Sequence, residues 1–284
     1  MGVMGQGLRS AVVRLVAYPA IAYLAVGAFF YFQQSKLIFP APKIFEKKTP
    51  ADRGLRFEDL LIPVNATDHL HAWWIPAVKP SGKVILVFHG NGYVLEDMAG
   101  DEASDLNQIG ANLLLVDYRG YGSSTPVSPN EATVDQDAEA ALNYLLRDRK
   151  IPVGNVVALG RSIGSGPATY LALKNPGLGG LILESPFTSI DDAAAEVWYF
   201  RIYPAALILR THFDNLAKIG SIKTPVLIVS GTADTLTPTW MADKIFARAR
   251  QPKQLYLVPG AGHNDLPERG GSDLTLALKR FVEE

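Results

Sequence analysis

The stretch NVVALGRSIGSGPATYLALK, Asn155 to Lys174, places a serine among glycines directly after an apolar run. Two chemistries use such a junction. One is a glycine-rich turn whose backbone N–H groups hold a phosphate at a helix N-terminus. The other is a sharp strand-to-helix turn, G-x-S-x-G, which holds a serine hydroxyl clear of a sheet. The stretch alone is compatible with both.

Gly160, Gly164 and Gly166 spell G-x-x-x-G-x-G, and Glu184 ends the next apolar run, where a dinucleotide fold places its ribose-binding acid. Tyr170 and Lys174 even have the Y-x-x-x-K spacing of a dehydrogenase pair. Chain position argues against all three. A cofactor loop belongs after the first strand of its sheet, but KVILVFHG (83–90) and NLLLVDYRG (112–120) already precede this one. The tyrosine and lysine would also ride on the helix that opens at the loop. The order of the chain therefore favours Ser162, inside Gly160-Arg161-Ser162-Ile163-Gly164, as a nucleophile.

The runs on either side suggest the fold. Short apolar segments without alternation suit a sheet covered on both faces. GLILES (180–185), PVLIVSG (225–231) and QLYLVPG (254–260) continue the series. Helical spacing appears in 131–149, 163–174 and 273–284, so strands alternate with helices, as in parallel crossover units. RFEDLLIPV and HLHAWWIPA flank the turn NATD (65–68) and predict a leading antiparallel hairpin. The expectation is one α/β domain with a mostly parallel sheet of about eight strands, helices on both faces and a short helical cap at 189–224.

Partners for Ser162 follow in the order Ser, acid, His. Asp234 lies just past PVLIVSG in a turn rich in Gly, Thr and Pro, and His263 just past QLYLVPG. All three fall at the carboxyl edge of one parallel sheet, where open α/β folds build their sites. His263 would accept the serine proton, and Asp234 would fix the histidine tautomer and stabilise the imidazolium. Glu184 is the rival acid, and Asp265 reads as a loop cap. The oxyanion donors are expected to be the N–H of Ile163 and Asn91 in the loop VFHGNGY (87–93). His89 reads as support for that loop, while His69 and His71 share a strand face without further ligands and read as structural. His212 has no distinguishing context. No metal or cofactor is implied.

Lys and Arg number 27 against 28 Asp and Glu, for a net charge of -1, so nothing marks a nucleic-acid partner. The absence of cysteine excludes a disulfide framework, a thiolate metal site and a cysteine nucleophile. The N-terminus departs from soluble composition. Leu15 to Phe32 carries no charge, and as a helix it reaches about 27 Å, near the ~30 Å of a hydrocarbon core. Arg9 and Arg14 precede it, and Phe29 to Phe32 suit an interfacial aromatic belt. A membrane anchor over 1–36 ahead of a 37–284 domain is expected. A cleaved signal peptide is the rival, although its small-x-small site at Ala20-Ile21-Ala22 falls inside the run. A buried core helix is the third reading. Lys36, Lys43, Lys47 and Lys48 follow the run, so the flanking cations lean toward a cytoplasmic domain.

HGNG, LLLVDYRGYGSS, GRSIG, SGTADTLTP and GAGHNDL together resemble the α/β-hydrolase superfamily. More closely, the chain resembles its small membrane-anchored α/β-hydrolase-domain members, which also begin with one apolar segment followed by YFQ…LIFP. The resemblance covers nearly the whole chain. It implies a serine hydrolase with nucleophile Ser162, acid Asp234 and base His263, acting on a small-molecule or acylated substrate. Relatives cleave varied esters, thioesters and amides, so it names no substrate. The chain reads HGNGYV where relatives often have HGNAGN, a departure that falls in the oxyanion loop. The cap, with Trp198, Tyr199, Phe200, Tyr203, Leu207, Ile208 and Leu209, reads either as an acyl-binding lid facing a bilayer or as a cap burying its own apolar face. A second function class is a catalytically silent fold used for binding or scaffolding at a membrane.

Overall fold

A computed structural model describes residues 3–42, 48–79, 81–197 and 200–284, with side chains described outside 3–12 and 206–207. Lys43 and Lys47 of the flanking charge count, and Trp198 and Tyr199 of the cap, lie outside the described residues, as do the side chains of Arg9 and Leu207.

The sequence NATD turns the chain between β1 (Glu58–Pro63) and β2 (His69–Ile75), which pair antiparallel with Leu61 opposite His71. Six strands then run parallel: β3 (Val84–Phe88), β4 (Asn112–Val116), β5 (Val156–Arg161), β6 (Gly180–Glu184), β7 (Val226–Gly231) and β8 (Lys253–Val258). Among the described residues the eight form one sheet in the order β1-β2-β4-β3-β5-β6-β7-β8. β3, β6 and β7 are buried at every position, as strands covered on both faces must be, whereas the edge strands β1 and β8 are partly exposed.

Alternate residues feed two cores. Val84, Leu86 and Phe88 of β3 join a cluster with α4 (Glu131–Arg147), α5 (Ser165–Lys174) and α9 (Thr239–Arg248). Ile85 and Val87 join the opposite one, with α2 (Leu95–Met98), α3 (Asp101–Gln108) and α10 (Leu266–Glu283). α4 starts where Asn130 accepts a hydrogen bond from the Thr133 N–H, and it ends two residues before the predicted limit. α10 starts earlier than predicted because it continues across a kink at Gly271, whose φ of 48° only glycine adopts readily.

The cap between β6 and β7 consists of α6 (Ile190–Glu196), α7 (Ala205–Ile208) and α8 (Asn215–Ile219). Against it lies α1 (Val3–Ile38), of which Val13–Ile38 is long and apolar enough to cross a membrane. Leu15, Leu24 and Phe32 on α1 are 76%, 68% and 71% exposed. The expected aromatic belt is divided: Phe29 and Phe32 face outward, but Phe30 packs edge-on against Phe200 and Tyr203 of the cap. Cap aromatics meet α1 instead of only one another.

Candidate active site

β5 delivers Ser162 at φ 50°, a left-handed conformation that is strained for serine, and a 3-10 turn over Ser162–Gly164 then leads into α5. The flanking glycines are required by close approach. A Cβ on Gly160 would stand 2.2 Å from the Gly164 carbonyl oxygen, and one on Gly164 would stand 2.1 Å from that of Phe88. Strand, turn and the end of β3 converge there with no room for a side chain. Tyr170 and Lys174 stay on α5, where the Tyr170 hydroxyl donates to Glu139.

Asp234 follows β7 and His263 follows β8, and the sheet brings both to Ser162. His263 Nε2 lies 2.9 Å from Ser162 Oγ, and its Nδ1 lies 2.8 Å from Asp234 Oδ2. The Asp234 carboxylate is fully buried, against 13% exposure for the histidine side chain. Its Oδ1 accepts the N–H of Leu236 at 2.9 Å and of Thr237 at 2.8 Å. Burial works against its charge, but the bonds from His263 and Thr237 outweigh this and hold the carboxyl below its ordinary range. The Thr237 hydroxyl lies 2.9 Å from Asp234 Oδ2 and 3.2 Å from the Ser185 carbonyl. The one sequence signal for Thr237 is its spacing, since an Asp three residues before a Thr is a common turn-capping arrangement.

Glu184 points elsewhere and pairs with Arg161. Asn91 and Ile163 line the same cleft as Ser162 and His263, a hollow of about 330 Å³ also lined by Ile190 and Ala194 of the cap. Asp265 accepts the Gly262 N–H at 2.5 Å and so braces the histidine loop. His89 is buried below the Asn91 loop, with its Nε2 3.4 Å from Asp117, and the Tyr118 hydroxyl donates to its carbonyl. His71 sits between Asp59 at 2.7 Å and Asp117 at 3.7 Å. His69 lies near Thr125, and His212 pairs with Asp191 on the cap. Among the described residues no group of three or more His, Cys, Asp or Glu side chains could hold a metal. The site as arranged can deprotonate a hydroxyl and stabilise the resulting imidazolium.

Residues 79–217 match the family model described as serine aminopeptidase, S33. An uncharacterized protein of Mycobacterium tuberculosis is 31% identical, the alignment covering 95% of this chain and 96% of that protein. The α/β-hydrolase domain-containing protein WAV2 of Arabidopsis thaliana is 27% identical over 94% of this chain and 92% of its own length. In structure, an esterase of Pyrococcus furiosus superposes with a TM-score of 0.72 at 20% identity, covering 86% of this chain and 96% of that one. The chain belongs to the α/β-hydrolase superfamily. Hydrolysis is the class of activity that this membership supports.

Proposed function

We propose that the protein is a serine hydrolase of carboxylic esters or thioesters, held at a membrane by α1. The reading rests above all on the placement of His263, whose two ring nitrogens lie 2.9 Å from Ser162 Oγ and 2.8 Å from Asp234. Ser162 Oγ attacks the acyl carbon while its proton passes to His263 Nε2. The oxyanion is received by the N–H groups of Ile163 and Asn91. Collapse breaks the bond to the leaving group, which departs with the proton from His263. Water then attacks the acyl-enzyme by the same route, releasing the acid and restoring Ser162. Asp234 stays ionised throughout and holds Nδ1–H.

The anchor reading, with 1–36 as anchor and 37–284 as the hydrolase domain, draws on the outward apolar side chains of α1, which a soluble core helix would bury. The cations that follow α1 favour a cytoplasmic domain. Retention in the membrane pellet after alkaline carbonate washing tests the anchor, and release into the supernatant sinks it.

Reaction with a fluorophosphonate probe tests the chemistry. Labelling is expected at Ser162 and lost in Ser162→Ala, whose ester turnover should fall on the order of a millionfold. A panel of esters, thioesters and an aminopeptidase substrate separates the bond classes. Absence of labelling would favour the silent scaffold.

A further inference from the structure

The cleft that holds Ser162 adjoins a second hollow across the cap. Three of its lining residues, Ile38, Ile190 and Ala194, also line a second pocket of about 130 Å³ between α1 and the cap. Ile38 is the last residue of α1, and the other two lie on α6. The remaining walls are apolar or aromatic, chiefly Phe30 and Leu37 from α1 with Phe200, Tyr203 and Ile208 from the cap.

The polar groups in these walls are already engaged. The Gln34 amide donates to the Tyr31 carbonyl at 2.7 Å and the Ile208 carbonyl at 3.1 Å, while its oxygen accepts the Arg210 N–H at 2.6 Å. The Tyr203 hydroxyl donates to the Tyr23 carbonyl at 3.3 Å. A guest in this pocket meets hydrocarbon and ring faces, and Ile38, Ile190 and Ala194 lie between it and the Ser162 cleft.

The pocket also shares the depth of the apolar helix surface. The cap reaches back along α1 to Tyr23, whose ring stacks on Tyr203 at 4.6 Å and whose hydroxyl donates to the Ile202 carbonyl at 2.8 Å. About three helical turns, roughly 16 Å, separate Tyr23 from Gln34. Ile202 is 63% exposed, beside a helix whose Phe29 and Leu24 are also exposed. The segment walling the pocket is thus the end of the stretch that can span a bilayer.

We propose that the groove between α1 and the cap is an acyl-binding site, which admits the fatty acyl chain of a membrane lipid laterally from the leaflet and leads its carbonyl carbon to Ser162. The anchor helix is then one wall of the substrate site as well as a tether. This rests on the serine hydrolase reading and on α1 lying in a bilayer. A site for soluble short-chain esters has no use for a hydrocarbon passage walled by a membrane helix.

The test uses the full chain in phosphatidylcholine vesicles containing a phosphatidylcholine with a diazirine on its acyl chain. Irradiation should label Phe30, Leu37, Tyr203 or Ile208. Prior reaction with hexadecyl fluorophosphonate should reduce that labelling about tenfold or more while leaving labels on outward Leu15 and Leu24 unchanged. Labels confined to outward residues, or groove labels indifferent to the probe, overturn the proposal. A second arm places a bulky ring at the junction of the two pockets. Ala194→Phe should lower the ratio of kcat/KM for palmitoyl over butyryl p-nitrophenyl ester about tenfold or more. An unchanged ratio overturns the proposal, and should this variant misfold, the labelling of the unaltered protein decides. A protein that neither reacts with the fluorophosphonate nor cleaves either ester brings down the hydrolase reading and this proposal with it. One that reacts and cleaves, but labels only on its outward face, overturns this proposal alone.

Discussion

Arg161 holds Glu184 through Nε and Nη2, each 3.0 Å from Oε2, so the carboxylate that ends β6 is turned away from His263. Asp234 occupies the place beside Nδ1 instead. Two acids stand at the ends of neighbouring strands, and Arg161, the residue before Ser162, occupies one of them.

The consequence for catalysis is an asymmetry between two conservative changes. Asp234→Asn should lower kcat on the order of ten-thousandfold, because the amide no longer fixes the histidine tautomer. Glu184→Gln should keep kcat within about tenfold, since it touches Arg161 and not the histidine. Steady-state ester hydrolysis measures both. The reverse ranking would assign Glu184 as the acid.

Arg161 itself is a stability prediction. Its Nη1 lies 2.9 Å from Glu102, so one guanidinium sits between two carboxylates in a partly buried pocket. Burial already raises the pKa of Glu102, even with Arg161 beside it. Arg161→Met leaves both acids without their cation and should cost about 3–5 kcal/mol in urea unfolding near neutral pH. The loss should shrink as the pH falls and Glu102 takes up a proton. A loss that does not change with pH would mean that packing of the Arg161 stem, not its charge, matters.

Much of this architecture is legible in the chain, for a physical reason. β3 to β7 are covered on both faces, so their central residues are apolar, and runs such as VILVF declare themselves. The meeting of Ser162, Asp234 and His263 is legible because each follows a parallel strand at the same sheet edge. Contacts between segments distant in sequence leave no local pattern. Nothing near Arg161 announces Glu102, and nothing near His89 announces Asp117. The docking of Phe30 on the cap was hidden for a different reason: an aromatic on a membrane-length helix looks alike whether it meets lipid or protein.

The glycines that flank Ser162 are constrained by space, which separates them from glycines constrained by φ alone. Gly164→Ala forces a Cβ to within 2.1 Å of a backbone oxygen on β3, which cannot swing away. It should cost about 3 kcal/mol or more and reduce fluorophosphonate labelling. Gly54→Ala is the control. Gly54 has φ 72° but nothing within 4 Å of its Cβ position, so only the left-handed backbone is penalised, by about 1–2 kcal/mol. Equal losses in thermal unfolding would show that the close approach to Phe88 relaxes readily.

The last prediction concerns pH and the support beneath the Asn91 loop. Burial opposes the charge on His71, but the carboxylates of Asp117 and Asp59 outweigh it and raise the ring's pKa above 6.5. Burial likewise opposes charge on Asp117, and His71 and His89 outweigh it, so its pKa is lowered. A histidine whose folded pKa is raised stabilises the fold fully below its unfolded value, and that stabilisation fades as pH climbs through the folded value. His71→Gln should therefore cost most in mildly acidic solution, about 1–3 kcal/mol near pH 6, and distinctly less near pH 9. Urea unfolding of both proteins at the two pH values measures the difference. A deficit that stays constant, or grows toward pH 9, would mean that His71 is neutral in the folded protein and serves only as a spacer between the two acids.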